Sequence, residues 1–95
     1  MSTQLTPQDI QSIAQSGEGY NAEFKVSVPS KVKELTEEIC AFANAAGGVL
    51  LLGVDDDNNI KGVAIENAKR SAIQNSLNEI NPHVPTSFYP VEVDG

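Results

Sequence analysis

The sequence predicts a small α/β domain, a mixed β-sheet flanked by about three helices. Three observations carry that expectation. Tyr20 to Val28 alternates apolar and polar residues with the period of a half-buried strand. Lys31 to Ala46 then changes to helical spacing, and Val49-Leu50-Leu51-Leu52-Gly53-Val54 follows without alternation, as a strand covered on both faces does.

The elements follow in order. Thr6-Pro7-Gln8-Asp9 has the marks of a helix start, with a hydroxyl at the N-cap, proline at the first helical position and a carboxylate at the third. Ile10, Ile13 and Ala14 share one face, and Gly17 ends that segment. In the strand, Tyr20, Ala22, Phe24, Val26 and Val28 face one way, while Asn21, Glu23, Lys25 and Ser27 face the other. Pro29-Ser30 breaks it, with Ser30 as the expected cap of the helix over Lys31 to Ala46. Val32, Leu35, Ile39, Phe42 and Ala43 form the apolar stripe of that helix, and Gly47-Gly48 supplies the permissive backbone that ends it.

After the buried strand, Asp55-Asp56-Asp57-Asn58-Asn59 forms a turn, and Ile60 to Val63 is expected to pair back as a short hairpin partner. Ala68, Ile73, Leu77 and Ile80 suit a third helix, stopped by Asn81-Pro82. Phe88, Tyr89, Val91 and Val93 suggest a last strand, which Pro90 confines to an edge or a bulge. Asp94-Gly95 then reads as a hairpin turn whose second strand is missing, so residues 1–95 are expected to be one domain truncated at its C-terminal end.

Composition narrows the function classes. The chain has 95 residues, 40% of them hydrophobic, too many for a disordered tail. Its apolar runs fall far short of the ~20 residues of a membrane span. Met1-Ser2-Thr3-Gln4 lacks the basic and apolar parts of a secretory signal, which points to the cytoplasm. The lone Cys40 supplies neither an internal disulfide nor a zinc cluster. Thirteen acids against six bases give a net charge of −7, which argues against indiscriminate nucleic-acid binding through a positive field.

The polar groups have plain readings beside functional ones. Glu23 and Lys25 lie on one side of a strand, where they could meet a metal or a phosphate, but spacing alone favours a solvated face with a cross-strand ion pair. Asp55-Asp56-Asp57 follows the buried strand, where α/β sheets tend to place ligands, and carboxylates there could hold Mg²⁺ or Mn²⁺. The plainer reading is an acidic turn. Asp55, Asp57, Asn59 and Glu66 match part of a calcium loop, but Ile60 stands where that loop needs glycine. Asn44-Ala45-Ala46-Gly47-Gly48 precedes a strand, so it is a helix end and not a phosphate loop. Lys25, Lys31 and Lys33 are the evident basic concentration. His83 has no catalytic company, and Cys40 beside Ile39 and Phe42 suits a core.

The order of these pieces is more specific than any one of them. Gly17-Glu18, Ala22-Glu23-Phe24-Lys25, Ala41-Phe42-Ala43-Asn44-Ala45-Ala46-Gly47-Gly48, Val49 to Asp56 and Ile60-Lys61-Gly62-Val63 together resemble the Schlafen/AlbA-like DNA-binding domain, from about Glu18 onward. In bacteria and archaea that domain commonly opens transcriptional regulators, often labelled RecG-related helicases, so the resemblance implies a DNA-binding module with further domains beyond it. DNA is the expected partner ahead of RNA. Its contacts are expected at Lys25, Lys31 and Lys33 and at the Asn44, Gly47 and Gly48 corner, with no cofactor needed for binding.

The animal Schlafen relatives imply an alternative, an endoribonuclease with three carboxylates. Carried over, these fall on Glu18, Glu23 and Asp56, or Asp55 with the register moved by one, and would use Mg²⁺ or Mn²⁺ to activate water. A third reading is assembly, with the domain pairing as a homodimer through a sheet edge.

Overall fold

The computed structural model describes residues 4–19, 21–82 and 84–93. Met1, Ser2, Thr3, Tyr20, His83, Asp94 and Gly95 lie outside them, so the readings that rest on those residues do too.

Helix α1, Pro7–Ser16, starts as its sequence dictates. The Asp9 amide donates to the Thr6 hydroxyl at 3.1 Å, and the Thr6 amide donates to the Asp9 carboxylate at 2.9 Å. This capping box satisfies two amides that lack intrahelical partners. The Gly17 amide closes the other end on the carbonyls of Ile13 and Ala14.

Strand β1, Ala22–Lys25, pairs in parallel with strand β2, Val49–Leu52, with Ala22 opposite Val49 and Lys25 opposite Leu52. Helix α2, Lys33–Asn44, is the crossover between them. It therefore starts near the end of β1 and returns the chain to the start of β2. Helix α3, Asn67–Asn78, follows. The fold is thus α/β with three helices, as expected, around a sheet of two parallel strands.

The sheet separates two hydrophobic clusters. Ala22, Phe24 and Leu51 pack with Ile10, Ala14 and Val54 on the α1 side. Leu50 and Leu52 meet Leu35, Ile73 and Leu77 on the other side, between α2 and α3. The unalternating β2 sequence has this cause: successive side chains enter opposite clusters.

Several boundaries differ from the sequence expectation. β1 ends at Lys25, short of Val28, because the Lys25 carbonyl accepts both the Gly53 amide at 2.6 Å and the Val54 amide at 3.2 Å. Gly53 takes a φ of +101°, and a Cβ there would lie 2.8 Å from the Gly62 carbonyl carbon, so only glycine permits this turn. Val26 is left 55% exposed. α2 is shorter than Lys31 to Ala46, and Ser30 does not cap it: Val32 is the N-cap, in helical conformation and without a side-chain bond.

Ile60 pairs with Val54 through one antiparallel bridge and builds no strand. Phe88 to Val93 is not a strand either. Phe88 packs on the α2–α3 cluster while Val91 and Val93 pack on the α1 cluster, so the side chains of this extended segment reach both faces of the sheet. Pro90 removes a ladder donor in its middle. The segment is tied to the chain start by the Leu5 amide, which donates to the Tyr89 hydroxyl at 2.7 Å.

Candidate nucleic-acid interface

Glu23 and Lys25 stand opposite Leu50 and Leu52, and partners in a parallel pair share a face. That face is the one α2 covers. Lys25 Nζ lies 3.1 Å from Glu38 Oε1 on α2, with both side chains more than half buried. The ion pair is therefore between strand and helix, not across strands. Glu38 holds the Lys25 ammonium more firmly protonated than usual, with smaller help from Glu23 and Glu34.

Glu18 reaches the same strand. Its carboxylate accepts the Phe24 amide at 3.0 Å. That bond, then a hydrogen bond shared with Glu23 and the charge of Lys25, hold Glu18 below the usual carboxylate range. Glu23 is pushed the other way, first by the hydrogen bond with Glu18 and then by burial and by the charges of Glu18 and Glu38. Of these two neighbouring carboxyl groups, Glu18 therefore ionises more readily and Glu23 less readily than an ordinary glutamate.

The acidic turn is built for itself. One Asp55 oxygen accepts the amides of Asp57 and Asn59, each at 2.9 Å, and the other lies 3.9 Å from Lys61 Nζ. The Asn59 amide first, then those of Asp57 and the Lys61 charge, lower the Asp55 carboxyl below its ordinary range. Asp56 is exposed. The turn approaches the Gly17–Glu18 corner, since Asn58 Nδ2 lies 3.4 Å from where a Gly17 Cβ would stand. Even so, among the described residues no three of His, Cys, Asp and Glu form a group that could hold a metal ion. Glu18 and Glu23 come together, Asp55 is engaged by its own turn, and Asp56 does not join them. These residues do not fit a three-carboxylate metal centre.

Lys31 and Lys33 are exposed at the start of α2, and Asn44 is exposed at its end. Twelve helical residues separate the two places by about 18 Å. Beyond Asn44, the Gly47 amide donates to the Phe42 carbonyl at 2.8 Å. A Cβ on Gly48 would lie 2.7 Å from the Phe42 ring and 2.8 Å from the Asn21 carbonyl oxygen, so this glycine lets the helix end lie against the start of β1. Sequence reasoning missed Lys69. Its ammonium donates to the Ser30 carbonyl at 3.2 Å, across 39 positions of chain, and only the docking of α3 beside α2 reveals it.

The fold is a small domain with a crossover helix packed on a parallel strand pair. The Schlafen, AlbA_2 family matches residues 18–95, and the chain belongs to that family. At family level it is a nucleic-acid-related domain. No solved structure matches the chain. Among the described residues no helix is long and apolar enough to cross a membrane.

Proposed function

We propose that this chain is the DNA-binding module of a prokaryotic transcriptional regulator and works as a homodimer. The observation that carries the reading is the pair of exposed lysines, Lys31 and Lys33, at the start of the crossover helix, in a domain of a nucleic-acid-related family. Neither is in an ion pair among the described residues, whereas Lys25 is held by Glu38. Lys31 and Lys33 are the phosphate contacts, and the Asn44 to Gly48 corner is a second contact at the other end of α2. Lys25 positions the strand against the helix. Binding needs no metal ion.

The test is a gel shift with labelled duplex DNA and labelled structured RNA at low salt, with and without Mn²⁺. The reading expects a shifted, intact DNA band that weakens as salt rises. It also expects a weaker shift for Lys31→Gln/Lys33→Gln. RNA shortened only when Mn²⁺ is present, and spared by Glu23→Gln, would replace this reading with the nuclease. The dimer is tested by sedimentation across a concentration series, where a strict monomer removes it.

A further inference from the structure

The chain carries six cationic side chains, and the fold divides them into two groups. Lys25 and Lys61 face Glu38 and Asp55, at 3.1 Å and 3.9 Å. Among the described residues, Lys31, Lys33, Lys69 and Arg70 are in no ion pair. Lys31 and Lys33 lie far from Lys69 and Arg70 in sequence, yet the fold brings the first turn of α3 beside the start of α2. Lys69 Nζ bonds the Ser30 carbonyl at 3.2 Å, which fixes the first turn of α3 beside the residue that precedes Lys31. Leu35, near the start of α2, packs with Ile73 and Leu77 of α3 and fixes the same approach from within the core. Arg70 follows Lys69 in that first turn and is exposed.

We propose that Lys69 and Arg70 extend the Lys31–Lys33 face into one four-cation surface that grips the phosphodiester backbone of nucleic acid. The proposal rests on the nucleic-acid reading above. Glu34, Glu37 and Glu66 are the carboxylates beside these cations, Glu37 one helical turn from Lys33, and none of the three is in an ion pair among the described residues. Four cations against three carboxylates leave this face slightly positive in a chain whose net charge is −7. A polyanion repelled by the molecule as a whole must bind through such a local face. At physiological ionic strength, charges beyond about 8 Å are largely screened, while cations touching a phosphate are not.

The side-chain chemistry fits that role. A lysine ammonium has three donors, so Lys69 keeps two after bonding Ser30. The Arg70 guanidinium can take two phosphate oxygens at once. Phosphate contacts carry no base information, so this surface sets affinity and orientation without choosing a sequence.

The experiment is fluorescence anisotropy of the 95-residue chain with a labelled duplex of about 20 base pairs, from about 50 to 200 mM salt. Four phosphate contacts give a plot of log K against log salt with a slope of about −3.6. Lys69→Gln/Arg70→Gln is expected to flatten that slope by about 2 units, and Arg70→Gln alone by about 1. Arg70→Gln leaves the Ser30 bond intact, which keeps the test valid if the double variant unfolds. Lys69→Arg, which retains the charge, is expected to keep the wild-type slope. Wild-type slopes in both glutamine variants would overturn this extension and leave the Lys31–Lys33 reading standing. No binding by the wild-type chain at the lowest salt would overturn that reading and this extension together.

Discussion

Lys25 on β1 and Glu38 on α2 meet at 3.1 Å, and this contact ties the polar face of the strand to the helix that crosses over it. The second Glu38 oxygen is buried without a hydrogen-bond partner, so the carboxylate depends on Lys25. Removing the lysine leaves a half-buried charge uncompensated.

Lys25→Gln is therefore expected to destabilise the fold by about 1 kcal/mol, a fall of about 4–8 °C in melting temperature. The same variant is expected to keep the wild-type salt slope of DNA binding, because the Lys25 ammonium is already paired with Glu38. A thermal melt and a salt series check the two halves. An unchanged melting temperature with weakened DNA binding would reverse the assignment.

The Glu18–Glu23 pair is expected to titrate in two separated steps, Glu18 below and Glu23 above the ordinary glutamate value. Carbon-detected NMR of the two carboxyl groups reads this directly. The Glu18 contribution to stability is present above its unfolded value and is lost as pH falls through its lowered folded value. Glu23 acts in the opposite sense. Its contribution is present below its unfolded value and is lost as pH rises through its raised folded value. Glu18→Gln removes the charged partner and should return Glu23 toward the ordinary range. Two coincident titrations in the wild-type chain would contradict the opposite shifts of the pair.

Gly48→Ala is expected to cost about 1–3 kcal/mol, since its Cβ would meet both the Phe42 ring and the Asn21 carbonyl below 3 Å. Gly53→Ala should cost at least as much, because it adds a strained φ of +101° to a clash with the Gly62 backbone. Denaturant midpoints measure both. Wild-type midpoints would mean that these glycines are not required for packing.

What the sequence made legible was what is local or periodic. Thr6 and Asp9 are three residues apart, so their capping box could be read directly, and the β2 apolar run announced a strand with two covered faces. Pairings set by the tertiary fold could not be read so. Ser30 looked like a cap, but its carbonyl is used by Lys69, and the helix begins later, at Lys33. Phe88 to Val93 has apolar residues at strand-like spacing and serves the two clusters as β2 does, yet it forms no ladder, and Pro90 removes a donor in its middle. At the site, the Phe24 amide holds Glu18 against β1 beside Glu23. The acidic turn looked like a ligand site because its residue types suit one, but Asp55 is occupied by its own backbone.

In the proposed complex, nucleic acid lies across the joined starts of α2 and α3. The most direct measurement is an amide NMR titration of the ¹⁵N-labelled chain with duplex DNA at low salt. The largest shifts are expected at Ser30 to Glu34 and Glu66 to Arg70, with a second set at Asn44 to Gly48. Shifts confined to the Asp55 to Asn59 turn, or none at Lys31 and Lys33, would contradict it.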